Sequence, residues 1–67
     1  MRRFEFKDSS SNKFWEVAVE GKSVTVSFGK IGADGTSKTT AFASPEKAKA
    51  EHDKLIAEKT KKGYEEV

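Results

Sequence analysis

The first half of the chain alternates apolar and polar side chains with the period of two that is typical of β-strands. In RFEFK, residues 3–7, Phe4 and Phe6 alternate with charged residues. The segments FWEVAVE, residues 14–20, and SVTVSF, residues 23–28, repeat this alternation with Trp, Val and Phe. We therefore predict strands in this region, each with one apolar and one polar face.

Turn-forming residues separate these strands. The segment DSSSN, residues 8–12, contains no apolar side chain and is predicted to be an exposed loop. Gly21 and Lys22 are predicted to occupy the centre of a tight hairpin turn. That turn places Trp15 opposite Phe28 and pairs the valines of the two strands, so the opposed pairs on one face are all apolar.

The segment SFGKIGADGTSKTT, residues 27–40, carries three glycines at intervals of three. This spacing matches neither a P-loop nor a dinucleotide-binding fingerprint. A tight turn at Asp34 and Gly35, with Gly35 at positive φ, is predicted to lead into a strand from about Thr36 to Phe42. The glycines serve backbone conformation alone in one interpretation; in another, their loop presents Lys30 and free amides to a phosphate.

The second half of the chain has the period of a helix. Ser44 is the predicted N-cap, and Pro45 fits the first helical position. Gly63 is the predicted C-terminal glycine, after which Tyr64 turns back toward the domain. The stripe that faces the sheet contains Ala48, His52, Leu55, Ile56 and Lys59. The predicted fold class is α+β, with three to four antiparallel strands packed against one C-terminal helix.

Length and composition limit the possible functions. The 67 residues are predicted to form one domain, residues 1–67. The absence of Cys excludes disulfides and thiolate metal sites. We find no secretory signal and no apolar run near the ~20 residues of a transmembrane helix, so we expect a cytoplasmic protein with no membrane partner. The net charge of +2 is too small to indicate nucleic-acid binding by itself.

His52 is the residue that most resembles a catalytic base. It lies on the apolar stripe, and its neighbours Glu51 and Asp53 are expected to point about 100° away from it around the helix. No second His and no Cys is present to complete a metal site. We therefore expect a structural role for His52, and no catalytic residue, metal, cofactor, small-molecule substrate or enzymatic activity.

Three lysines lie in the run EKTKKGY, residues 58–64. Glutamates within and after this run nearly cancel their charge. We interpret Lys59, Lys61 and Lys62 as a solvated helix end, where cations interact favourably with the helix dipole.

The run from Asn12 to Tyr64 resembles a WGR domain, a small module named for a Trp-Gly-Arg tripeptide. Four features carry the resemblance in order and spacing: an Asn-Lys-aromatic opening, an aromatic-Gly-basic-aliphatic-Gly hairpin end followed by a Gly turn, a Phe-x-Ser helix entry and a Lys-Gly-Tyr close. The tripeptide itself is altered, because Phe28 stands in place of the Trp and Lys30 in place of the Arg.

The resemblance implies a nucleic-acid-binding role. In DNA-dependent poly(ADP-ribose) polymerases the WGR domain helps to bind DNA break ends and relays that binding to a catalytic domain, whereas stand-alone bacterial members are mostly of unassigned role. By residue-by-residue transfer, Phe28 and Lys30 take the positions of the Trp and Arg, and Asn12 and Lys13 are expected to add phosphate contacts. Phe offers less stacking area than Trp, and Lys offers a point charge in place of a bidentate fork.

Each of these residues also has a structural interpretation. Strict alternation places Phe28 on the Trp15 face, in the core, unless a bulge at Gly29 turns it outward. Lys30 is then a solvated lysine beside a turn. Asn12 caps the DSSSN turn. The arginines at positions 2 and 3 form a frayed, charged terminus.

Two function classes follow for a chain expected to be a bacterial monomer. The first is a non-catalytic module that binds nucleic acid, especially DNA duplex ends, through Asn12, Lys13, Phe28 and Lys30. The alternative is a protein-interaction or regulatory module that recognises a partner through a sheet edge or the glycine loop. Binding that weakens with salt distinguishes the first class from the second.

Overall fold

Five antiparallel strands and one helix make up the fold in the computed structural model, which describes residues 1–67. The elements are, in chain order, β1 (Arg2–Lys7), β2 (Asn12–Glu20), β3 (Ser23–Lys30), β4 (Thr36–Ala41), α1 (Pro45–Lys61) and β5 (Glu65–Glu66). The strands form one sheet in the order β4-β3-β2-β1-β5. The predicted α+β fold is confirmed, and the sheet has five strands because the chain after Gly63 pairs with β1.

The β2–β3 hairpin has the predicted register. Trp15 lies opposite Phe28, and the valine pairs follow as the sequence indicates. Gly21 adopts a φ of 56° in the turn, a left-handed conformation that glycine takes without a Cβ penalty. Pairing continues without a bulge to the other end of the ladder, where Lys13 lies opposite Lys30.

The hydrophobic core lies between α1 and one face of the sheet, which we call the helix-covered face. The core cluster consists of Phe4, Trp15, Val17, Val24 and Ala48, with Val26, Phe42, Leu55, Ile56 and Tyr64 packed against it. The rings of Phe4 and Trp15 are tilted, with centroids 5.6 Å apart, a favourable aromatic geometry. With so small a core, the position of α1 along the strands decides which aromatic side chains remain open to solvent.

Both ends of α1 are as predicted. The Ser44 Oγ accepts a hydrogen bond from the Lys47 N–H at 3.3 Å, which is the expected N-cap contact. Gly63 has a φ of 105°, and the Tyr64 N–H donates to the Lys59 carbonyl at 3.0 Å to close the helix end. No helix of this chain combines the length and the apolar character that crossing a membrane requires.

His52 is nearly buried on the core side of α1. The expectation that its acidic neighbours point away is wrong for Asp53, because the Asp53 Oδ1 lies 3.0 Å from the His52 Nδ1. This hydrogen bond holds the Asp53 pKa below its usual value, with the nearby Lys49 contributing. The chain contains no cluster of three His, Cys, Asp or Glu side chains that could hold a metal ion.

The turn between β3 and β4 differs from the prediction. The tight turn is at Ile31 and Gly32, where the Ala33 N–H donates to the Lys30 carbonyl at 3.0 Å. The connection is therefore longer than a two-residue hairpin, and Asp34 and Gly35 form its final part before β4. The predicted positive φ of Gly35 is confirmed at 79°.

The interpretation of the N-terminal arginines as a frayed end is wrong. Both belong to β1, and Arg2 donates to both carboxylate oxygens of Glu66 at 2.8 and 2.7 Å. Arg3 lies on the sheet face opposite α1, where it donates to Glu16 at 3.0 Å and its guanidinium is 4.7 Å from the Phe14 ring centroid. Ion pairs and a cation–π contact therefore order this end of the chain.

We expect the Glu66→Gln variant to lose less stability in acid than the wild type does. Hydrogen bonding to Arg2 lowers the pKa of Glu66 from its ordinary value of 4.5. A carboxyl with a lowered folded-state pKa stabilises the fold above its unfolded-state pKa, and this contribution disappears as the pH falls through the folded-state value. The Tm difference between wild type and variant should therefore shrink as the pH is lowered from about 7 to about 2.

Glu65 on the same strand provides the control, because it makes no ion pair. Because Glu65 lies opposite Glu5 in the sheet, Glu65→Gln should not lower the Tm at neutral pH, in contrast to Glu66→Gln. A Tm difference for Glu66→Gln that stays constant over the whole pH range would contradict the assigned role of the Arg2 pair.

Candidate nucleic-acid interface

Two lysines face each other where the β2–β3 ladder ends. Lys13 and Lys30 are directly opposed, and they lie on the same side of the sheet as the next aligned pair, Trp15 and Phe28. Like charges in opposed positions destabilise a sheet. Neither lysine is within 4.0 Å of a carboxylate. The strand end therefore carries two lysines without a direct ion-pair partner, and Lys13 has only a longer-range attraction to Asp8.

Phe28 is 42% exposed, so its interpretation as a core residue is wrong. The proposed condition for exposure, a bulge at Gly29, is also wrong, since Gly29 pairs regularly with Phe14. Strict alternation does keep Phe28 on the helix-covered face, opposite the buried Trp15. Its ring is exposed because it lines an open groove beside α1 and is not covered by the helix.

This groove separates the end of the β2–β3 ladder from the C-terminal part of α1 and has a volume of ≈ 520 Å³. Its apolar and aromatic surface comes from Trp15, Val26, Phe28, Leu55 and Tyr64, and Phe14 borders it from the other face of the sheet. Its charged side chains are Lys13, Lys30, Lys59 and Lys62, with Glu58 as the single acid. We call this feature the lysine groove; it combines aromatic surface with a net positive rim.

Sequence reasoning missed two members of the lysine groove. Lys59 and Lys62 were interpreted as parts of a solvated helix end, but both line the groove, whereas Lys61 does not. The spacing of Lys59 contained the relevant information, because it falls on the same helical stripe as Leu55. A lysine in an apolar stripe must extend its charge past the edge of the core, and here that edge is the groove.

Lys59 has an unusual environment for a lysine. Its Nζ lies 5.7 Å from the centroid of the Trp15 ring and 5.2 Å from that of the Tyr64 ring, within cation–π distance of both. Burial lowers the pKa of Lys59, and the nearby charges of Lys62 and Lys13 lower it further, while Glu58 opposes them. An anion at this position would relieve the electrostatic cost.

The end of β3 and the loop that follows Lys30 rest on an aromatic ring. Gly29 and Gly35 come together over Phe14, so closely that a Cβ on Gly35 would lie 2.6 Å from the Phe14 Cζ and 2.6 Å from the Phe28 carbonyl oxygen. The Ile31 N–H also donates to the Asn12 carbonyl at 3.0 Å. These contacts fix the loop against β2, and the glycines are required for the close approach.

Asn12 and the preceding loop lie beside the two opposed lysines. The interpretation of Asn12 as the cap of the DSSSN turn is wrong, because Asp8 caps it by accepting from the N–H groups of Ser10 and Ser11 at 2.8 and 2.6 Å. These hydrogen bonds lower the Asp8 pKa. A second depression, of ≈ 310 Å³, is lined by Ser10, Ser11, Asn12, Lys13, Lys30 and Ile31. The structure thus brings together all four residues predicted to form the site, Asn12, Lys13, Phe28 and Lys30.

The fold and the groove define a small α+β binding module. The WGR domain profile matches residues 1–67, and the chain belongs to the WGR domain family, at family level a nucleic-acid-binding module. The namesake Trp and Arg are replaced by Phe28 and Lys30 in this member.

Similar chains occur in bacterial proteins. Two Escherichia coli proteins are similar: YfeS, 46% identical over 65 residues, and YehF, 42% identical over 66 residues. The alignments cover 97% and 98% of this chain but only 27% and 24% of those proteins. A crystal structure of a Bacteroides fragilis protein matches with a TM-score of 0.97 and 48% identity over 98% of this chain and 19% of that chain. The chain therefore spans about a quarter of the length of the curated relatives it matches.

Proposed function

We propose that this WGR domain binds DNA at duplex ends through Asn12, Lys13, Phe28 and Lys30. The observation that supports this most directly is the opposed pair of Lys13 and Lys30 beside the exposed ring of Phe28. Lysines without carboxylate partners attract phosphates, and counterion release makes that attraction favourable at low salt. Asn12 adds a polar group at the edge of the same surface.

The exposed ring of Phe28 favours ends over the interior of a duplex. Inside a duplex, neighbouring bases cover both faces of every base pair. The outer face of the terminal pair and the terminal sugar are open, so an aromatic ring gains stacking contact there. A surface with two cations beside one exposed aromatic ring thus fits a phosphate next to a strand end better than it fits the uninterrupted sugar–phosphate backbone inside a duplex.

A second candidate function is protein interaction through β4. This strand lies at the edge of the sheet, and all six of its residues are exposed. An extended segment of a partner could pair with the free edge by main-chain hydrogen bonds. Such binding would tolerate salt and would not require Lys13 or Lys30.

Titration of the protein against short labelled duplexes tests the DNA proposal. We expect tighter binding to a blunt duplex with a 5′-phosphate than to the same duplex closed by hairpins, and weaker binding as salt increases. The variant Lys30→Ala should lose about tenfold in affinity at low salt, the value of one charge-assisted contact. Its slope of log K against log salt should fall by about 0.9, because one phosphate is no longer neutralised.

Lys22→Ala is the matched control, since Lys22 is an exposed lysine in the turn at the opposite end of the same hairpin. It removes the same charge and should leave both affinity and salt slope nearly unchanged. Equal losses for Lys22→Ala and Lys30→Ala would indicate non-specific attraction to the whole surface. Salt-independent binding, or none at all, would overturn the proposal and favour the β4 edge.

A further inference from the structure

The lysine groove extends well beyond the residues assigned to the duplex end. Lys59, Lys62, Leu55 and Tyr64 line its helix side, away from Asn12. We propose that the lysine groove holds one unpaired nucleotide at the end of a nucleic-acid strand, with the base against the aromatic surface and the phosphate among the lysines. This inference rests on the proposed function and adds to it the form of strand end that the domain prefers.

The dimensions and lining of the groove fit a nucleotide. Its volume of ≈ 520 Å³ falls in the range of about 300–1,000 Å³ that is common for sites of small organic ligands. Phe28 and Tyr64 offer aromatic surface to a planar ring, and Leu55 adds an aliphatic contact. Stacking on such side chains tolerates any base, because every base has a π-face.

The charges of the groove select an anionic ligand. Four lysines line it against Glu58 alone, and none of the four is engaged in an ion pair. The ammonium group of Lys59 is held beside Trp15 and Tyr64, although no protein acceptor takes a hydrogen bond from it. A phosphate oxygen is the acceptor that suits a compact ammonium donor. A neutral apolar peptide would leave these lysines buried and without partners, which is costly.

The base in the groove must be unpaired. In a duplex the Watson–Crick edge of a base is covered by its partner, and at least one of its faces is covered by a neighbouring base. Only a base free of its partner can enter the space between α1 and the end of β2–β3. A strand end with a single-nucleotide overhang therefore presents the preferred ligand next to the duplex that Lys13 and Lys30 contact.

Two duplexes that differ by one unpaired nucleotide test this inference. Both carry a 5′-phosphate; one is blunt and the other has a one-nucleotide 5′ overhang. Trp15 is the single tryptophan of the chain and lines the groove, so its fluorescence reports occupancy. We expect the overhang to tighten binding about fivefold or more, the lower range for stacking one base. We also expect it to change Trp15 emission more than the blunt duplex does.

Lys59→Met isolates the contribution of the groove. Met keeps an unbranched apolar stem against Trp15 and Tyr64 and removes the ammonium. We expect this variant to lose the gain from the overhang while it still binds the blunt duplex, and Lys59→Arg to regain part of it. Lys61→Met is the control, because it removes an equal charge from the same helix turn at a residue outside the groove.

The outcomes separate this inference from the proposed function. Tight binding of the blunt duplex with no gain from the overhang would overturn the inference and leave duplex-end binding intact. Equal gains from the overhang in Lys59→Met and Lys61→Met would overturn it as well. A nucleoside 5′-monophosphate is the third ligand. If it shifts Trp15 emission in a Lys59-dependent way while neither duplex binds, the groove takes free nucleotides and its placement at a strand end is wrong.

Discussion

Gly35→Ala is expected to be the most destabilising single-methyl change in the loop between β3 and β4. The new Cβ would lie 2.6 Å from the ring of Phe14 and 2.6 Å from the carbonyl oxygen of Phe28, and the residue would keep a φ of 79°. Overpacking costs about 1–3 kcal/mol, and the left-handed backbone adds roughly 1–2 kcal/mol for a residue with a Cβ. We therefore expect a loss of about 2–5 kcal/mol in the free energy of unfolding.

That loss is large for this chain. At about 0.05–0.15 kcal/mol per residue, a domain of this size has only about 3–10 kcal/mol of stability. Thermal unfolding should show a Tm lower by at least about 8 °C, since small domains shift by roughly 4–8 °C per kcal/mol. The affected region also carries Lys30, so DNA binding should weaken even at temperatures where the variant is folded.

Gly32→Ala separates backbone strain from crowding. Gly32 also has a positive φ, 95°, but a Cβ there would meet nothing within 4 Å. The Gly32→Ala variant should therefore lose only the free energy of unfolding that backbone strain costs, about 1–2 kcal/mol. If Gly32→Ala and Gly35→Ala are equally unstable, the contact with Phe14 has no energetic role and the loop is held by backbone conformation alone.

Local patterns predicted most of this fold. The alternation of apolar residues defined β1 to β3, and the Gly21 turn fixed the β2–β3 register because only that register opposes apolar side chains. The Ser44 cap and Gly63 defined the ends of α1 for reasons that are equally local. Such features depend on a few residues that are close together in the sequence, so they can be predicted from it.

The differences arose where distant segments meet. Alternation places Phe14 on the polar face of β2, yet it is buried on this face opposite α1, because Arg3 and two glycines cover it. The Asp34 and Gly35 dipeptide is typical of tight hairpins, but the close approach of Gly35 to Phe14 places the tight turn earlier, at Ile31 and Gly32. Periodicity also gives the side of a strand on which Phe28 lies, but not how far along the strand the helix extends.

In the candidate site, too, contacts within the hairpin could be predicted from the sequence, whereas contacts between the hairpin and the helix could not. Asn12, Lys13, Phe28 and Lys30 were selected by resemblance, and their proximity follows from the hairpin register. Lys59 and Lys62 join them only through the packing angle of α1 on the sheet, which no local pattern specifies. A lysine on an apolar helical stripe therefore indicates positive charge at the edge of the core that the stripe borders.

Lys30→Glu is expected to abolish DNA binding and to stabilise the fold. In the wild type, Lys30 opposes Lys13 in the sheet, a repulsive arrangement. Glutamate at position 30 would convert it into an opposite-charge pair, and we expect the free energy of unfolding to rise by about 0.3–1 kcal/mol, a modest value because both side chains are exposed. The same change replaces a phosphate-binding cation by an anion, which should weaken duplex binding by about 100-fold or more, since opposed like charges cost several kcal/mol.

Opposite effects on stability and binding would identify the lysine pair as a functional feature that the fold tolerates at a cost. Chemical denaturation and duplex titration of the same protein samples provide the two measurements. Lys22→Glu is the control for overall charge, since it changes the net charge equally at the far end of the hairpin and should weaken binding far less. If Lys30→Glu destabilises the domain, the two lysines do not repel each other appreciably. Retention of duplex binding by Lys30→Glu would show that phosphates do not contact this strand end, and the case for the free edge of β4 would then be the stronger one.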